Sequence, residues 1–264
     1  MSNLLRKEKR NSMIMGKYGR YLLYAIGEFL LLIFGILIAL QVDNWNEDRK
    51  EEDMYHSYLV RLKIDFEEVQ FQLDQAETKS NELVSLARYL TDFLNGDLNS
   101  LDTLKLAVCI EKTAGLNKYD LSITTYSELS STGRLAIIEN DSLKNMLNLW
   151  HQYGKYRDGI QSELDPLIFK YRDLTRNILS TEEKLFITNS WWRPYPDHPI
   201  WNNLNLETDG SKITKELYEN PDILGVLNDI LVYRTESQIL MKFEREQLLE
   251  TRGLIESEIN RLSK

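Results

Sequence analysis

Cysteine is nearly missing from this sequence, proline is sparse and histidine sparser, with one, five and three residues respectively in 264. The single Cys109 excludes an intrachain disulfide and any zinc centre built on several thiolates. His56, His151 and His198 stand far apart, and no two share the i, i+4 spacing of a helical zinc site. Five prolines and twelve glycines are too few for the frequent turns of a sandwich or barrel, which leaves a mainly α chain. The sequence also lacks a phosphate-cradling glycine loop, a Gly-x-Ser-x-Gly elbow and a dinucleotide fingerprint. No catalytic residue, metal ligand or cofactor is therefore assigned, and the abundant carboxylates read as solvated helix faces paired with Lys or Arg.

What the chain does have is one long apolar run. Residues 22–42 contain only Glu28 and Gln41 as strongly polar members. At about 1.5 Å per residue such a helix covers the roughly 30 Å hydrocarbon core of a bilayer. A cleaved leader has a shorter apolar run followed by spaced small residues, and Ile38, Ala39, Leu40 and Gln41 offer no such pair, so the segment is expected to persist as an anchor. Arg6, Lys7, Lys9, Arg10, Lys17 and Arg20 precede it against a single Glu8. Asp43, Glu47, Asp48, Glu51, Glu52 and Asp53 follow it against Arg49 and Lys50. The positive-inside rule then places residues 1–20 in the cytoplasm as a basic tail, 21–42 in the membrane and 43–264 outside. Tyr18, Tyr21 and Tyr24 at one edge and Trp45 at the other suit the headgroup zones.

The expected partner is thus the lipid bilayer and not nucleic acid. Beyond residue 42 the chain carries 26 Lys and Arg against 39 Asp and Glu, a net −13, and phosphate binding needs clustered cations.

Glu28 lies inside the apolar run, on one helical face with Tyr21, Ala25, Leu32, Gly35, Ala39 and Val42. Gly35 and Ala39 form a small-xxx-small pair that admits a second helix, so Glu28, Gly35 and Ala39 are expected to serve lateral self-association. Two alternatives stand beside it. Glu28 lies about 10 Å in from Tyr21 by helical rise and is able to snorkel towards the cytoplasmic interface. An intramembrane carboxylate also suits a proton relay in an ion-driven complex.

Past the anchor, Tyr55, Leu59, Leu62, Phe66, Val69, Leu73, Ala76, Ser80, Leu83, Ala87, Leu90 and Leu94 advance in steps of four and three, the seam of a long packed helix. Asn95-Gly96 suits a left-handed stop. Residues 101–112 predict a helix capped by Asn99 or Ser100, with Cys109 as a buried filler. Thr125-x-x-Glu128 reads as a capping box, Gly133 as a stop, and Asn140 or Asp141 as the cap of a helix from Ser142 towards Leu179, in which Pro166 predicts a kink or break.

The stretches "YLLYAIGEFLLLIFGILIALQVDNWNEDRK" and "TTYSELSSTGRLAIIENDSLKNML" resemble the two signature blocks of a family of single-span proteins of unknown function common in Bacteroidota. The resemblance implies a bacterial envelope protein; together with the orientation read from the flanking charges, the expected location is the inner membrane with the larger part periplasmic. It implies no activity, because no catalytic or ligand-binding residue comes with it.

The last third opens on "ITNSWWRPYPDHPIWNNL", where Trp191, Trp192, Tyr195 and Trp201 alternate with prolines that cannot continue a helix. These aromatics read either as a plug for one end of a bundle or as a partner-binding loop. Asn220-Pro221 starts a final helix carrying Leu224, Leu227, Leu231, Met241, Leu248, Leu249, Ile255, Ile259 and Leu262. The expected fold is all-α. A transmembrane helix leads into an antiparallel bundle, with 43–94 and 221–264 as stalk helices and 95–220 as a head. The expected role is a non-enzymatic envelope scaffold, interaction or sensor module with an unidentified envelope partner. The alternatives are an accessory subunit of a proton-driven complex using Glu28, and an envelope enzyme with an unusual carboxylate site.

Overall fold

The computed structural model describes residues 2–98, 102–191 and 208–263. Asn99, Ser100, Trp192, Tyr195, His198 and Trp201 lie outside the described residues. Among the described residues there is no strand. The elements are α1 (Ser2–Asn95), α2 (Thr103–Thr113), α3 (Thr124–Ser131), a 3-10 turn (Arg134–Ile137), α4 (Asp141–Thr175), α5 (Thr181–Trp191), α6 (Gly210–Glu219) and α7 (Asp222–Leu262). The chain divides into two compact units, Met1–Ser57 and Tyr58–Lys264.

The first unit is the N-terminal part of α1. None of its described side chains from Tyr21 to Met54 is buried. It contains a stretch long and apolar enough to cross a membrane, and no described side chain of that stretch is buried. A core helix of a water-soluble bundle hides one face; here Phe29, Leu31, Phe34 and Ile38 are all exposed.

The second unit is an antiparallel helical bundle. The predicted seam of α1 is the one it buries: Leu59, Leu62, Phe66, Val69, Leu73, Ala76, Ser80, Leu83, Ala87 and Leu90 are all inside. Polar bonds between α1 and α7 fix the direction of pairing. Asn81 meets Gln238, Glu77 and Asp74 meet Arg245, Gln70 meets Arg252, and Lys63 meets Glu256, so one number falls as the other rises. The same holds between α4 and α7, where Tyr156 meets Glu236, Arg157 meets Glu244 and Asn140 meets Glu258. Both α1 and α4 therefore run opposite to α7 and parallel to each other, with Phe66 and Trp150 edge to face at 5.4 Å between centroids.

The region 95–220 is consequently more divided than a head. The short helices α2, α5 and α6 pack with the 83–93 part of α1 and the 223–230 part of α7 in one core cluster. The connector after α2 instead returns along α1, where Asn117 donates to the Ala76 carbonyl and Glu128 takes bonds from Tyr58 and Arg61. That return allows α4 to start near the far end of α7 and run beside it.

Several local expectations hold. Gly96 and Gly133 adopt left-handed φ of 78° and 71°, and Asn140 caps α4 by accepting from the Leu143 N–H. Others do not. The α2 cap is Asp102, which accepts from the Lys105 N–H. Thr125 and Glu128 form no capping box: α3 begins at Thr124, and Asp65 of α1 accepts from the Thr125 N–H at 2.7 Å. A tertiary carboxylate has replaced a local one, and Glu128 is taken by Arg61. Of the kink or break expected at Pro166, the break is absent, since α4 runs through it. Leu249, expected in the apolar stripe of α7, is 61% exposed, while Glu244 and Thr251 occupy buried positions beside it.

The end of α2 is closed by arginines from other helices. Arg234 is 2% exposed and donates through Nη2 to the Thr113 and Gly115 carbonyls, both at 2.8 Å, and Arg172 reaches the Ala114 carbonyl at 2.7 Å. These are the carbonyls a helix C-terminus leaves unpaired, and positive charge is favourable there. Gly115 passes so close to α1 that a Cβ would lie 2.8 Å from Leu83 Cδ2.

Arg234→Met is expected to lower unfolding free energy by about 2–4 kcal/mol in urea titration, since two buried carbonyls lose their donor, whereas Arg172→Met, at the surface, costs about 1 kcal/mol or less. Asp65→Ala is expected to cost about 1–2 kcal/mol through the lost cap of α3, and an unchanged midpoint would return the cap to Glu128.

Candidate functional site

The residues singled out in the apolar run do not form a site within one chain. Glu28 and Ala39 are exposed, and a Cβ built on Gly35 meets nothing within 4 Å. Trp191 ends α5, and the other three loop aromatics lie outside the described residues.

The second unit does hold a pocket, between the connector 117–127 and the middle of α4, with a volume of about 490 Å³. The connector reaches this place because Leu121 and Ile123 are buried and the Trp150 indole N–H donates to the Leu121 carbonyl at 2.8 Å. Trp150 and Tyr126 make the apolar floor. Tyr126 is held from behind, its hydroxyl donating to Asn148 Oδ1 at 2.8 Å, and His151 lies at 5.9 Å from its ring. Lys118 on one wall is bonded to Asp165 at 3.1 Å.

At the inner wall the lining becomes charged and buried. The Arg157 guanidinium lies over the Tyr119 ring at 5.2 Å, and its Nη1 donates to Glu244 Oε1 at 2.7 Å. The Arg157 side chain is 14% exposed and that of Glu244 1%. Burial pushes the Glu244 carboxyl up to about 7 even though Arg157 pulls it down. Burial, with the Glu244 carboxylate nearby, likewise raises the Tyr119 phenol above its usual range. Taking an ion pair out of water costs more than its attraction returns unless other dipoles help. Cys109, by contrast, is fully buried with its thiol pushed up to about 12, and packs as the filler its sequence context suggested.

The set combines aromatic faces, cations and hydrogen-bonding groups around a concave space, which are the ingredients of a small-molecule site. Sequence reading missed it because Tyr119, Arg157 and Glu244 come from three separate segments. One signal was available: Met241, Glu244, Leu248, Thr251 and Ile255 advance by three and four, so Glu244 occupies a core position of α7.

A family model described as a family of unknown function (DUF6090) matches residues 28–188. Comparison with curated proteins and with solved structures finds no match. The matched range includes residues 28–42 of the apolar run, the connector and all of α4, and thus the whole pocket lining.

Because folding raises the Glu244 carboxyl from its ordinary 4.5 to about 7, the folded state binds this proton more tightly than the unfolded chain. Its contribution is therefore most favourable at low pH, declines as pH rises between about 4.5 and 7, and is constant above that. Denaturant titrations at about pH 5 and pH 7.5 should give wild-type protein a relative loss of about 1–3 kcal/mol on going up that Glu244→Gln does not show. Parallel pH profiles for the two proteins would contradict the assignment.

Proposed function

The chain belongs to the DUF6090 family, a family of unknown function, and on that premise we propose that it is a single-span membrane protein presenting an acidic helical domain as a non-enzymatic interaction or sensor module. The observation that carries this reading is the contrast between the two units. The second unit buries its own seam, while no described side chain in the apolar stretch of the first is buried. In water that stretch would carry a large hydration cost, which a bilayer removes. The basic flank before it and the acidic flank after it support an N-terminus in the cytoplasm, and in a bacterium this puts residues 43–264 in the periplasm. A signal from the domain would pass through an envelope partner.

Lateral pairing through the face of Glu28, Gly35 and Ala39 belongs to the same reading. Gly35 leaves the helix surface open for a neighbouring backbone, and a second copy in the same bilayer is already oriented in parallel.

The full chain should resist carbonate extraction, and a C-terminal tag should be digested by protease added to spheroplasts; extraction into the soluble fraction, or a tag protected until the cytoplasm is opened, would overturn the reading. In-membrane crosslinking should give dimers whose yield falls several-fold in Gly35→Leu, and equal yields would remove the pairing face.

A further inference from the structure

The pocket differs in charge from the domain that contains it. Beyond residue 42 acids outnumber bases by 39 to 26, yet the lining holds Lys118, Lys155 and Arg157 with His151, against Asp120 and Asp158. Asp120 is partly spent on its own loop, since its carboxylate accepts from the Ser122 N–H at 2.8 Å and hydroxyl at 3.1 Å. Lys118 is likewise spent, on Asp165, so what the pocket offers to hold an anion is Lys155 and the donors of Arg157 that Glu244 does not use, acting locally against the acidic field of the domain.

Arg157 is the group placed to do so. Its Nη1 is committed to Glu244, and its Nη2 lies 3.5 Å from where a Cβ would stand on Gly154, which also lines the pocket. Glycine in a helix interior costs about 1 kcal/mol relative to alanine. Here it keeps the space beside Nη2 open, where any longer side chain would project. A planar guanidinium that gives only Nη1 to a buried carboxylate, and whose Nη2 lies beside a glycine in the lining, has a further donor for a second carboxylate. The floor of Trp150 and Tyr126 gives the rest of the ligand an apolar face, and about 490 Å³ is the size of a small-molecule site.

We propose that this pocket binds a small organic carboxylate with an apolar or aromatic body, its carboxylate on Arg157 beside Gly154 and its body against Trp150 and Tyr126. The inference rests on the domain being a binding module and is independent of membrane anchorage. The carboxylate has two available sources, a free acid or the C-terminus of a peptide, and both present the same group to Arg157.

The test uses the full chain in lipid nanodiscs and isothermal titration with phenylacetate, phenylacetamide, N-acetyl-Ala-Ala-Phe and its C-terminal amide. Binding of either acid at least about tenfold tighter than its amide supports the proposal, and the acid that binds identifies the source. Gly154→Leu, which raises helix propensity and so keeps the fold, should abolish that binding. Arg157→Met combined with Glu244→Leu, which replaces the ion pair by an apolar pair and strands no charge, should abolish it too. Equal affinity for acid and amide overturns the anion assignment while leaving a binding module. No binding of any probe by wild type, or binding kept in folded Gly154→Leu, overturns the site itself, and neither result bears on whether the chain resists extraction from membranes.

Discussion

The second unit is organised by α7 having to satisfy two long neighbours at once. A helix fulfils its own backbone hydrogen bonds, so what joins α1, α4 and α7 is side-chain burial and the few polar contacts between them. An apolar seam in steps of three and four tolerates sliding by whole turns, because Leu against Leu is much the same one heptad along. Buried charges do not tolerate it. Arg234 one turn out of place loses the Thr113 and Gly115 carbonyls, and Glu244 one turn out of place loses Arg157. These two positions interrupt the apolar stripe of α7 and set its register against the rest of the bundle.

The pocket follows from the same arrangement. With α1 and α4 parallel, the chain between them must come back the full distance, and the segment after α2 does so as an extended connector before α3. An irregular strand of chain cannot fill the groove beside a helix as another helix would. It anchors at Asn117, Leu121 and Ile123 and leaves space over Trp150 and Gly154. At that level the ion pair of α4 and α7 meets the connector through Tyr119, so the pocket and a buried titratable group are neighbours.

Features that depend on near neighbours in the chain were legible. The seam from Leu59 to Leu90 is a matter of spacing, the stops at Gly96 and Gly133 of conformational freedom, and the Asn140 cap of a side chain reaching three residues on. Where a distant residue competes for the same group, the local pattern misleads. The Thr125 N–H went to Asp65 and the Glu128 carboxylate to Arg61, although Thr125-x-x-Glu128 had the right spacing to serve each other. At Pro166, for which a kink or a break was expected, α4 does not break, and Leu164 and Ile168 on either side are buried.

The sequence by itself determined an all-helical chain, an apolar stretch of bilayer length with charge of opposite sign at its two ends, and which face of α1 is buried. These follow from composition and from a 3.6-residue period, and both are properties of single segments. Only the tertiary structure decided that α4 runs beside α7, that arginines of α4 and α7 close the end of α2, and that Tyr119 and Arg157 share one wall with Glu244 bonded to Arg157. Contacts between residues some 40 to 120 positions apart leave no periodic trace, because each helix presents several polar residues at equivalent spacing and only the packed register selects which of them meet.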